Sequence, residues 1–318
     1  MPRLLPSPFI ALPLLLLLAG LAPGLAHAEI KTEAVEYTSG GVPLQGYVAW
    51  DDAVPGKRPG ILVVHEWWGH NAHARAQAER LAKAGYVGFA LDMYGKGKVT
   101  THPADAKQFV AEATADFKVE KARFQAALTQ LKKRPQVDGK KIGVIGYCFG
   151  GGVALDMARS GEPLAVVATF HGSLGSKLTA KPKLKPRILV LHGAADPMIS
   201  QDQLVAFEKE MGAAKAHFEV LQYPGAKHAF TNPDAGKAGV PGLEYNAAAD
   251  AASWTALLDV LAQVFPLGKP AAGTAPKAAA PSSAKPTPSD ATPPGAPAPV
   301  PAKPAAPNSA KPAAPTQP

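Results

Sequence analysis

The only cysteine of the chain, Cys148, lies in a segment whose residues 142–152 read Ile-Gly-Val-Ile-Gly-Tyr-Cys-Phe-Gly-Gly-Gly. An apolar strand runs into Gly146-x-Cys148-x-Gly150 and then into a helix-like run from Val153 to Arg159. Glycines on both sides permit a turn so sharp that the residue between them is pushed out of the sheet, the arrangement of a nucleophile elbow. A helix beginning at that residue turns its first amides and its positive dipole end toward the side chain, which favours a thiolate and then an oxyanion. The bland alternative is a small buried hydrophobe at a strand end. Two further residues decide between these. Strand Arg187–His192 runs into Gly193-Ala194-Ala195-Asp196-Pro197, and strand His217–Tyr223 runs into Pro224-Gly225-Ala226-Lys227-His228. Singly, Asp196 reads as a turn residue and His228 as a surface histidine. In the order Cys148, Asp196, His228 they supply a nucleophile, an acid that fixes the imidazole tautomer, and a base that takes the thiol proton.

The oxyanion formed by such an attack needs two N–H donors. One is expected from the backbone of Phe149, next after the nucleophile. The second is expected from the loop after strand Gly60–His65, where the sequence is Glu66-Trp67-Trp68-Gly69 and the N–H of Trp67 is the choice. Glu66 places a carboxylate at a strand end beside the thiol. A salt-bridged surface residue is the alternative reading.

The elements that must position these residues alternate along the chain. Ala34–Tyr37 and Leu44–Trp50 form a first pair across Ser39-Gly40-Gly41. Further strands are expected at Gly60–His65, Tyr86–Leu91, Lys141–Ile145, Leu164–Phe170, Arg187–His192 and His217–Tyr223. Helices are expected at His73–Ala84, across Pro103–Lys133 with Phe109, Phe117 and Phe124 facing inward, at Val153–Arg159, Gln201–Met211 and Glu244–Phe265. Strands that are apolar throughout and separated by helices imply an α/β fold, a mainly parallel central sheet with helices on both faces. Its site lies at the carboxyl ends of the strands.

Outside this domain the composition changes. Residues 1–28 carry Arg3, an apolar core from Leu12 to Leu18 and Ala26-His27-Ala28, the marks of a cleavable secretory signal. The mature chain is expected to begin near Glu29 and to be periplasmic or secreted, with no stable membrane insertion. A single free thiol in an oxidising compartment is a liability unless it is shielded or used. From Lys269 the chain is mostly Pro, Ala, Lys, Ser and Thr without an aromatic residue, a composition expected to stay disordered. Removing the tail's five lysines and one aspartate, and Arg3, from the formal +8 leaves +3 for residues 29–268. The basicity is therefore mostly a tail property. It gives no case for nucleic acid and at most suggests loose association of the tail with an anionic envelope polymer. The domain itself, residues 29–268, is long enough for one sizeable core.

Glu66-Trp67-Trp68-Gly69-His70-Asn71, Asp92-Met93-Tyr94-Gly95, Gly146-Tyr147-Cys148-Phe149-Gly150-Gly151, Asp196 and Gly225-x-x-His228-x-Phe230 together resemble the dienelactone hydrolase family, over nearly all of residues 35–265. The resemblance implies an α/β-hydrolase fold and a Cys148–His228–Asp196 triad. It further implies that Glu66 contacts the resting thiol and that Trp67 and Phe149 form the oxyanion hole. The substrate implied is a small ester or lactone. Lactone-cleaving members hold a substrate carboxylate with two arginines. Here Arg80 and Arg123 bracket a stretch without arginine, and Asn232 stands where the second would fall. Lys96, Lys98 and Lys227 are the available point charges, without the planar fork of arginine. The Gly- and Pro-rich loop from Asn232 to Leu243 suggests a reshaped pocket mouth.

Other chemistries do not fit. His65-Glu66-Trp67-Trp68-Gly69-His70 is one residue out of register for a zinc-binding His-Glu-x-x-His, and the glycine runs lack a phosphate-loop Gly-Lys-Ser/Thr. The expected mechanism, two-step acyl transfer through a thioester, requires no cofactor and no metal. His171 and His192, both at strand ends, are read as structural. Two other functions remain open, an exported binding protein that keeps the fold without turnover, and an acyltransferase using the same thioester.

Overall fold

The computed structural model describes residues 29–267, so the signal-like segment and the Pro-rich tail lie outside the described residues. Strands β1 (Ile30–Ser39) and β2 (Val42–Asp51) form an antiparallel hairpin. Its two turn residues, Gly40 and Gly41, have φ of +55° and +80°, which glycine adopts without a Cβ clash. The hairpin is joined to β3 (Arg58–Val64), β4 (Val87–Leu91), β5 (Val137–Tyr147), β6 (Val166–Phe170), β7 (Arg187–Gly193) and β8 (His217–Tyr223). Together they make an eight-stranded sheet of order β1-β2-β4-β3-β5-β6-β7-β8. The β2–β4 pairing is antiparallel, and every pairing from β4 to β8 is parallel. This is the α/β-hydrolase architecture.

The continuous apolar strands are explained by burial on both faces. Every residue of β3, β4 and β6 is buried. Because side chains alternate along a strand, Leu62, Val64, Phe89 and Val144 pack with Phe124, Leu131, Met157 and Phe207. Those four come from the helices α3 (Phe117–Lys132), α4 (Phe149–Arg159) and α5 (Gln201–Ala213). Ile61, Val63, Ala90 and Ile145 face the other way, against Leu81 of α1 (Ala72–Lys83) and Leu257 and Leu261 of α6 (Ala247–Val264). Each of these larger aliphatic and aromatic side chains contributes roughly 1.5–3 kcal/mol of transfer free energy.

Among the boundaries that differ from the sequence reading, three have a clear local reason. The long helical region divides into α2 (Pro103–Thr114) and α3, because Asp116 is extended and its carboxylate accepts the Lys118 N–H at 2.8 Å. Of the three expected anchors, Phe124 is fully buried, whereas Phe109 and Phe117 are partly exposed. Helix α4 begins at Phe149, four residues ahead of the apolar pattern, since its first turn is Phe-Gly-Gly-Gly and shows no periodicity. Helix α6 starts after the Asn246 cap, because the Glu244 N–H is already bonded to the carbonyl of His228 at 3.1 Å.

Candidate active site

The parallel strands bring the carboxyl ends of β3, β5, β7 and β8 to one edge. The peptide at Cys148 has φ +52° and ψ −117°, a strained conformation for a residue with a Cβ. It is held there from both sides. The Cys148 N–H bonds the carbonyl of Phe170 at 3.0 Å, and its own carbonyl accepts the Gly151 N–H at 3.0 Å. The flanking glycines are required by contact, since a Cβ on Gly146 would lie 2.0 Å from the carbonyl oxygen of Gly150, and one on Gly150 would lie 2.4 Å from that of Val64.

His228 and Asp196 lie side by side. His228 Nδ1 lies 2.8 Å from Asp196 Oδ2, with both residues buried, while Asp196 Oδ1 accepts the Met198 N–H at 2.8 Å. The loop Asn232–Leu243 anchors this pair. The His228 N–H donates to Gly242 O at 3.1 Å, and Gly242 packs so closely on Pro197 that a Cβ would come within 2.5 Å of its ring. His228 Nε2 has no hydrogen-bond partner among the described residues. Burial opposes the imidazolium, but Cys148 and Asp196 outweigh it and push the His228 pKa up to about 10.

The loop after β3 is aimed by a residue that the sequence reading assigned no role. The Met93 N–H donates to His65 Nε2 at 3.2 Å, which leaves His65 Nδ1 as the protonated nitrogen, donating to the carbonyl of Glu66 at 2.5 Å. Burial pushes the His65 pKa down and keeps the ring neutral. The Gly69 N–H also reaches the Glu66 carbonyl, at 3.3 Å, and the Tyr94 hydroxyl donates to Trp67 O at 3.2 Å. In a trans peptide the N–H points opposite to the C=O. Fixing the Glu66 carbonyl therefore turns the Trp67 N–H away from it. Neither the Trp67 N–H nor the Phe149 N–H is bonded within the described residues. Both residues line the same cavity as Cys148 and His228.

Glu66 is buried, 2% exposed, and its Oε2 accepts the Asn232 side-chain amide at 2.6 Å. The His73 ring stands 3.8 Å from the same oxygen, and Oε1 has no partner. No hydrogen bond joins Glu66 to Cys148 in this conformation among the described residues. Asn232, which falls where an arginine was sought, thus holds the carboxylate of Glu66. Behind the site, His171 Nε2 lies 2.8 Å from the Thr231 hydroxyl and its ring packs edge-on against that of His228, 5.3 Å between centroids. Burial, reinforced by the charges of His228 and His73, pushes its pKa well down, so it backs the His228 ring as a neutral group.

The pocket at this edge has a volume of about 580 Å³. Trp67, Phe149, Val110, Phe117 and Ile199 give it apolar walls. None of the three lysines considered as carboxylate binders lines it. Lys96 pairs with Glu36 at 2.9 Å, Lys98 with Glu112 at 3.0 Å and Lys227 with Glu244 at 2.6 Å. Arg80 is bound to Asp250 at 2.8 Å, and Arg123 donates to Met93 O at 2.5 Å.

Residues 44–265 match the model of the dienelactone hydrolase family. The crystal structure of a dienelactone hydrolase-like promiscuous phosphotriesterase from metagenomic libraries is 38% identical, with a TM-score of 0.72, and the match covers 75% of this chain and 100% of that one. A Bradyrhizobium protein named a probable 2-oxo-3-(5-oxofuran-2-ylidene)propanoate lactonase is 29% identical over 217 residues, 65% of this chain and 86% of its own. An Aquifex aeolicus protein provisionally named a carboxymethylenebutenolidase is 28% identical over 205 residues, 63% of this chain and 87% of its own.

Proposed function

The chain belongs to the dienelactone hydrolase family and is a hydrolase acting on ester or lactone bonds, and on that premise we propose that it works through a Cys148 thioester, with His228 as proton carrier and Asp196 as its orienting acid. The observation that carries this reading is the strained Cys148 elbow facing a buried His228–Asp196 pair joined at 2.8 Å.

The thiolate attacks the acyl carbon, and the oxyanion is held by the N–H groups of Trp67 and Phe149. As the tetrahedral centre collapses, the C–O bond breaks and the imidazolium of His228 gives its proton to the leaving alkoxide. Water then attacks the thioester while His228 takes its proton. The C–S bond breaks, the acid leaves, and the proton on His228 and the thiolate are restored together. Glu66 stands beside this path as a carboxylate tethered by Asn232, able to turn to the thiol when the pocket fills. The leader suggests that the enzyme works outside the cytoplasm after cleavage near Ala28.

The test is hydrolysis of short-chain p-nitrophenyl esters and of dienelactone by the mature chain and its Cys148→Ala variant. Turnover lost in the variant, with a trapped acyl-enzyme detectable by mass in the parent, is the expected result. Turnover that survives the substitution would overturn the thioester route, and ligand binding without turnover would favour a binding protein. A second reading, phosphotriester cleavage by the same thiolate, is favoured by the 38% identity to a phosphotriesterase and is checked by adding a diethyl aryl phosphate to the panel.

A further inference from the structure

The pocket has an acidic wall that the proposed acyl-transfer chemistry does not use. Glu120, on the first turn of α3, lines the cavity together with Asp156 of α4. Glu120 is only 4% exposed, its Oε1 has no partner, and its carboxylate makes no hydrogen bond or ion pair among the described residues. A buried, unpartnered carboxyl is costly, which makes it a strong pointer to a partner supplied from elsewhere.

The charges around it are accounted for. On its own helix, Lys121 is bound to Glu162 at 2.7 Å and Arg123 to the carbonyl of Met93. On α4, Asp156 accepts from Arg159 at 3.0 Å, and Arg159 is further shared with Glu210 at 2.9 Å and with Leu174 O at 2.6 Å. One arginine therefore serves two carboxylates before Glu120 is counted. Lys177 lines the cavity from an exposed loop position at the rim. Burial first, then the charge of Asp156, pushes the Glu120 pKa up to about 8, which favours a proton there that a bound cation would displace.

The geometry points to Glu120 and Asp156 as a binding site for the ammonium group of a cationic ester, so that this pocket selects substrates of positive rather than negative charge. The inference rests on the hydrolase reading above but concerns a different part of the cavity. Around the ammonium, Phe117, Val110 and Phe149 would hold the aliphatic chain that links it to the acyl carbon at Cys148.

Three p-nitrophenyl esters of matched length test it: 6-aminohexanoyl, its neutral isostere heptanoyl, and mono-adipoyl. The expected kcat/KM order is ammonium, then neutral, then carboxylate. In Glu120→Gln the ammonium-to-neutral ratio should fall about tenfold or more, the scale of one charged hydrogen bond, while heptanoyl hydrolysis is retained. A wild-type ratio at or below one, or a ratio unmoved by Glu120→Gln with heptanoyl turnover intact, would overturn the site. Should none of the esters be hydrolysed, the hydrolase reading fails first, and the site is judged by calorimetry with hexylamine and hexanoate. Hexylamine binding tighter than hexanoate, and weakened about tenfold in Glu120→Gln, supports the site. Equal binding, or hexylamine binding untouched by the substitution, refutes it.

Discussion

At the scale of single residues, the site is a set of charges that hold one another in unusual states. The His228 imidazolium is buried, and burial alone would strip its proton. Cys148 and Asp196 outweigh it and push the His228 pKa up to about 10. Replacing Cys148 with alanine removes the larger of these two supports. The ring of His228 should then lose its proton at markedly lower pH, an effect visible in the imidazole carbon and proton shifts followed by NMR. A titration unmoved by Cys148→Ala would mean that thiol and imidazole are not paired at rest. Asp196→Asn acts on the other nitrogen. It keeps the shape, frees the tautomer, and should lower kcat/KM by about a thousandfold or more, with little change in melting temperature. These three residues were legible in the sequence as candidates because Cys148 follows β5 directly and Asp196 and His228 lie in the loops after β7 and β8, and strand ends are where an α/β sheet exposes chemistry. Asn232 was seen only as a missing arginine. Its role, holding Glu66 at 2.6 Å, joins positions 166 residues apart, and no local pattern encodes such a pairing.

At the scale of elements, what matters is how the loops are aimed. The β3 loop depends on His65, whose Nδ1–H fixes the Glu66 carbonyl and thereby the direction of the Trp67 N–H. His65 is a positioning residue, so its replacement should act on the transition state and not on substrate binding. In His65→Leu, kcat should drop about tenfold or more with KM within about twofold. Alkylation of Cys148 by iodoacetamide, which forms no oxyanion, should proceed at the parent rate. Loss of both together would show general damage instead. The sequence could not reveal this, because His65 was judged against a zinc motif, and its bonds depend on the distant Met93 amide. The strands themselves were readable, since burial on both faces leaves an unbroken apolar run. Helix starts were not. Three glycines hide the first turn of α4, and the split between α2 and α3 rests on one aspartate whose capping bond is invisible in a smoothed pattern.

At the scale of the whole molecule, the buried carboxyl of Glu120 links the pocket to the stability of the fold. Its pKa is about 8 in the folded chain against an ordinary 4.5, with burial the leading cause. Below about pH 4.5 both folded and unfolded chains carry the proton, so the group costs nothing. Between about 4.5 and 8 the unfolded chain releases the proton and the folded chain does not. Stability contributed by this group is therefore lost as pH rises through that window, and the loss is complete once the folded state also ionises. Glutamine keeps the shape of the protonated acid and does not titrate. Glu120→Gln should thus match the parent near pH 4 and become progressively more stable above it, by an amount on the order of a few kcal/mol at pH 8.5. Every other titrating group is common to both chains, so the difference between their denaturation midpoints isolates this one. A gap that stays flat from pH 4.5 to 8.5 would show that Glu120 is ionised throughout and already has its counter-charge. A gap that opens with pH, and that hexylamine closes by stabilising the parent alone, would tie the cost of the buried acid to the ligand it is kept for.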